Sequence, residues 1–84
     1  MKRIIFCENK NIISQKLKEH RLKNHMTQGE LAAKMQLLNV NIDQQMISKI
    51  EHNNRIVTDY ELLCFSRILQ IDCKDLFDDS IRLD

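Results

Sequence analysis

Eighty-four residues with 43% hydrophobic content and a net charge of +1 make one domain, near the lower size limit for independent folding. Such a chain buries a small core but not a deep enzyme cleft with several supporting shells. With no proline, one glycine (Gly29), four aromatics and many Leu, Ile, Lys and Gln residues, the composition predicts an all-α domain.

The charge is unevenly spread. Residues 1–25 carry about +5, residues 26–55 balance, and residues 56–84 carry about −4. One end can therefore approach phosphates while the other stays away. Cys7, Cys64 and Cys73 are an odd count without CxxC spacing, which argues against a disulfide framework or a zinc knuckle. His20, His25 and His52 form no HExxH or HxxxH pair, so neither a metal nor another cofactor is expected. The absence of a long apolar run and of a signal peptide predicts a cytoplasmic protein without membrane contact.

In chain order, residues 1–10 are expected to form an N-terminal arm. Within it, Ile4, Ile5 and Phe6 suit a short strand, which would need a partner, while Lys2 and Arg3 suit a basic arm on phosphates. The main domain is assigned to residues 11–77. A first helix is predicted from Asn11 to Asn24, with Asn11 as N-cap and Ile13, Leu17, His20 and Asn24 along one line. Thr27 and Glu30 form a capping box that starts a second helix ending near Leu38, with Leu31, Ala32 and Met35 buried. Asn39 to Asp43 is a break, and Asp43 caps a third helix from Gln44 to about His52. Ile47 and Ile50, with Met46, form its inner face, which turns Gln44, Gln45, Ser48, Lys49 and His52 outward. Asn53 or Asn54 can end it in a left-handed conformation. Thr58 and Glu61 make a second capping box, opening a fourth helix to Leu69 that buries Leu62, Phe65 and Leu69. Asp72 then starts a short fifth helix, Cys73 to Phe77, which drops Leu76 and Phe77 onto the core. Residues 78–84 form an acidic tail.

Taken together, Ile13, Leu17 and Arg21, the run Met26-Thr27-Gln28 with Glu30-Leu31-Ala32, the segment Ile47-Ser48-Lys49-Ile50-Glu51, and Asp75-Leu76-Phe77 resemble the Cro and Xre family of phage-repressor-type helix-turn-helix proteins. The resemblance runs from Ile13 to Phe77. It implies a compact five-helix, lambda-repressor-like domain that binds DNA as a homodimer to control transcription. By the same resemblance, Gln44, Gln45 and Ser48 face bases with Lys49 nearby, Gln28 touches a backbone phosphate, and Arg21 pairs structurally with Glu51. The chain departs from the pattern in a turn between the second and third helices about five residues longer than usual, with Asn41 at the glycine position. His20 stands for an apolar residue, and His25 and Gln70 stand for glycines.

The chemistry of the third helix suits that reading. Gln can bond adenine N6 and N7 in a bidentate manner, Lys prefers guanine O6 and N7, and Ser can support either. Asn54 and Arg55 are further candidates for backbone phosphates. Met46 serves as core or as a contact to a thymine methyl. The expected activity is sequence-specific binding of double-stranded DNA by a repressor, with two domains on a pseudo-palindromic operator and no visible seat for a small-molecule ligand. The competing class is a protein-interaction module, such as an antitoxin or a regulator that sequesters a repressor, acting through the acidic C-terminal third. An enzyme is not expected, because no nucleophile, paired-carboxylate or phosphate-loop pattern is present.

Overall fold

In the computed structural model, which describes residues 9–78, four α-helices and a 3-10 turn follow one another: α1 (Ser14–Lys23), α2 (Gln28–Leu37), α3 (Gln44–Glu51), α4 (Asp59–Leu69) and the turn Cys73–Leu76. No strand occurs among the described residues. The arm at residues 1–8 and most of the acidic tail lie outside them.

The starts of the helices are set by side chains. Thr27 Oγ1 accepts the Glu30 N–H while Glu30 accepts the Thr27 N–H, each at 3.0 Å. Thr58 and Glu61 repeat the arrangement at α4, and Asp43 Oδ1 accepts the Met46 N–H at 2.8 Å to start α3. Each such cap satisfies a donor that the helix itself leaves open.

The ends share one device. His25, Asn39, Asn53 and Gln70 all take left-handed backbone, with φ of 56°, 64°, 60° and 59°. After each, the chain folds back on the last helical turn. Met26 N–H reaches Arg21 O, Val40 reaches Met35, Asn54 reaches Lys49 and Ile71 reaches Ser66. These are the paired bonds of a Schellman ending, usually built on glycine. Here no glycine fills that role, since Gly29 lies inside α2.

The core is apolar side chains from every element. Leu17, Leu31, Met35, Ile42, Ile47, Ile50, Phe65 and Leu76 are fully buried, and Met46 packs against them at the edge. α3 lies against α1 and α2, α4 covers α2, and the 3-10 turn closes across α1 and α4.

Five expectations are corrected. The fifth helix is a single 3-10 turn, because only four residues separate Asp72 from the extended Phe77 and so short a run closes i→i+3 bonds. Leu76 is buried, whereas Phe77 is 38% exposed. Asn11 does not cap α1: the helix begins three residues later, with Ile13 at the N-cap position and no side-chain cap bond. The inner line of α1 continues from Leu17 through buried Arg21, while His20 is half-buried and Asn24 exposed. Finally, Asn39 rather than Asn41 takes the left-handed position in the lengthened turn.

Candidate nucleic-acid interface

Eight residues of α3 span about 12 Å, comparable with the width of a DNA major groove. Ile47 and Ile50 fix which side faces the core. At helical spacing this turns Gln44, Gln45, Lys49 and His52 into solvent, with Ser48 half-buried between them. Among the described residues, the side chains of Gln44, Gln45 and Lys49 make no hydrogen bond or ion pair, so their donors and acceptors face water. Gln44 leans toward the start of α2, where a methyl group on Gly29 would stand 3.6 Å from its Oε1. Ser48 is engaged with its neighbour: His52 Nδ1 lies 2.7 Å from the Ser48 carbonyl and 3.4 Å from its Oγ.

Beneath this face sits a charged lock. Arg21 Nε donates to Glu51 Oε2 at 2.7 Å and Nη2 donates to Oε1 at 3.0 Å, while Nη1 donates to the Met26 carbonyl at 2.8 Å. Both side chains are almost fully buried, at 8% and 2% exposure. The bonds to Glu51 raise the Arg21 pKa further above its ordinary value. Gln28 joins the group, donating Nε2 to Glu51 Oε1 at 3.1 Å. One lock thus joins α1, the start of α2 and the end of α3. A fork-to-fork pair fixes direction as well as distance, so α3 cannot roll without breaking it.

A second brace holds the segment after α3. Arg55 donates Nη1 and Nη2 to the two Glu61 carboxylate oxygens at 3.0 Å each, and Nη1 also reaches the Ile56 carbonyl. Burial pushes the Glu61 carboxyl up, but the bonds from Arg55 and from the Thr58 backbone outweigh it and hold the pKa below the usual range. Much of Arg55 is therefore committed within the protein, whereas Asn54 is exposed and its side chain makes no bond among the described residues.

One arrangement was not legible in the sequence. Asn53 Oδ1 accepts the backbone N–H groups of Lys10 at 2.8 Å and Asn11 at 3.1 Å, and Asn53 Nδ2 donates to Asn9 Oδ1. Asn11 Nδ2 donates to the carbonyls of Ile50 and Arg55, both at 3.0 Å. These asparagines tie the start of the described chain to the end of α3. Asn9 and Asn11 precede Asn53 by 44 and 42 residues in sequence, so no local pattern announces the pairing.

A helix-turn-helix family profile matches residues 17–76, most of the chain. The chain belongs to the Cro/C1-type (Xre) helix-turn-helix family. Its members are DNA-binding transcriptional regulators and not enzymes. The fold is similar to that of the restriction-modification controller protein C.AhdI from Aeromonas hydrophila, with a TM-score of 0.68 and 25% sequence identity over 77% of this chain and 91% of that one. A comparison with curated proteins found no match. Among the described residues, no helix is long and apolar enough to cross a membrane.

Proposed function

We propose that the protein is a homodimeric repressor that reads a pseudo-palindromic operator by inserting α3 of each protomer into the major groove. The observation that carries this is the outward face of α3. Gln44, Gln45 and Lys49 are exposed and unpaired within the described chain, on a helix whose roll is fixed by the Arg21–Glu51 lock. Rigid presentation lowers the cost of ordering those side chains on binding. Gln44, Gln45 and Lys49 read base edges and Ser48 supports them. Asn54 and the remaining donors of Gln28 and Arg55 meet backbone phosphates, which set register rather than sequence. Family membership and the likeness to a controller protein support the regulatory role.

A single domain of this size offers too little contact surface to find one site among a genome of competitors. Two domains on half-sites about 34 Å apart would suffice. Tyr60 and Leu63, 57% and 44% exposed and three residues apart on α4, supply an apolar patch for the second protomer.

Selection of preferred sites from random duplex DNA at two salt concentrations tests the proposal. The expected product is an inverted repeat. Lys49→Ala should lose about tenfold discrimination at one base position per half-site, within the 1–3 kcal/mol of a good base contact, and should flatten the salt dependence. If the wild-type chain enriches no sequence, or if Lys49→Ala leaves the selected site and the affinity unchanged, the proposal fails.

A further inference from the structure

Beside the α3–α4 connection lies an open groove of about 470 Å³. Its walls are mostly apolar, formed by Ile12, Ile56, Val57, Leu62 and Phe77, with Asp59 also lining it. Ile56 is 67% exposed and Phe77 38%, an unusual outlay of large apolar surface for so small a domain.

We propose that this groove is the docking site of the chain's own N-terminal segment, with Ile4, Ile5 and Phe6 as its occupants. The described chain starts at the groove: Asn9 and Lys10 line it, and Asn53 pins both of them there through Asn9 Oδ1 and the Lys10 N–H. Phe6 is three residues before Asn9, within reach of about 10 Å. A tether that short gives an effective concentration of about millimolar or more. The attached segment therefore outcompetes a second chain at ordinary protein concentrations. Composition fits on both sides: three consecutive apolar residues gain by leaving water, and Lys2 and Arg3 just ahead of them complement the exposed carboxylate of Asp59. The apolar patch at Tyr60 and Leu63 is not among the groove's walls, so docking leaves it open to a partner.

The experiment is NMR on the full chain in a mixture of isotope-labelled and unlabelled protein, where filtered spectra separate contacts within a chain from contacts between chains. The expected result is nuclear Overhauser effects from the Phe6 ring to the methyl groups of Val57 and Leu62 within single chains. Phe6→Ser should abolish them and lower the thermal midpoint by at least about 4 °C. Effects seen only between chains would overturn the proposal and give the groove to a second copy. Absence of any effect to the groove methyls would overturn docking altogether, as would an unchanged midpoint for Phe6→Ser.

Discussion

The four left-handed helix endings allow one substitution to be compared in two settings. Gln70 and Asn53 share nearly the same backbone, φ 59° and 60°, yet their side chains are used in opposite ways. The Gln70 side chain is exposed and bonded to nothing among the described residues, so Gln70→Gly removes no contact. It relieves the clash of a Cβ in left-handed backbone, about 1–2 kcal/mol. It also frees the unfolded chain, at a cost of about 0.5–1 kcal/mol. The net gain is about 0.5–1 kcal/mol, or roughly 3–6 °C in the thermal midpoint of a domain this size. Asn53→Gly relieves a smaller strain, because asparagine tolerates this conformation. It also deletes the Oδ1 acceptor of two backbone N–H groups and the Nδ2 donor to Asn9. At about 1 kcal/mol for each of the three bonds, with glycine's cost in the unfolded chain largely offsetting the strain relieved, the net change should be a loss of roughly 2–3 kcal/mol. Urea denaturation followed by circular dichroism reads both, with the slope checked for constancy. A destabilised Gln70→Gly variant, or an Asn53→Gly variant as stable as the parent, would refute the reasoning.

Three further outcomes are expected. Glu51→Ala strands the buried Arg21 guanidinium and removes the Gln28 bond; breaking such a pair costs about 3–5 kcal/mol, so the variant should be largely unfolded at room temperature by circular dichroism. The Glu61 carboxyl is held below its ordinary value of 4.5, so its contribution is complete above that pH and is lost as the pH falls through the folded value; midpoints measured between pH 6 and 3 (on the order of one unit per step) should fall less for Glu61→Gln than for the parent. Gly29→Ala places a methyl at ordinary contact distance, 3.6 Å from Gln44 Oε1, and should stabilise by about 0.5 kcal/mol through helix propensity; a loss of stability in urea denaturation would refute that expectation.

Where the sequence was legible, the signal was local. The capping boxes at Thr27 and Thr58 and the Asp43 cap place three helix starts, since each joins atoms three residues apart. The alternation of Ile47 and Ile50 with Gln44, Gln45 and Lys49 gives the outer face of α3, because a helix of known start leaves little freedom in which side is buried. Long-range pairings were hidden. Asn11 resembles an N-cap by position, yet its amide is spent on the carbonyls of Ile50 and Arg55. Ile42 sits between Asn41 and Asp43 without helical periodicity, yet it is fully buried. Thirty residues separate Arg21 from Glu51, so only the family resemblance, and no local pattern, points to their pairing.

Ile42 also explains how α3 keeps its seat despite the lengthened turn. A longer connection adds little entropic cost by itself, but a loose one would let α3 drift against α2. Here the extra length is spent on anchors. Val40 N–H bonds the Met35 carbonyl and closes the end of α2, Ile42 N–H bonds the Val40 carbonyl, and Gln36 Nε2 donates to the Ile42 carbonyl. Val40 and Ile42 are both buried, whereas Leu37 is 82% exposed. The turn therefore sends its second and fourth residues inward and ends on Asp43, which caps α3. The lengthened segment behaves as part of the core that positions the outer face of α3, so shortening it by deletion would cost apolar burial as well as loop length.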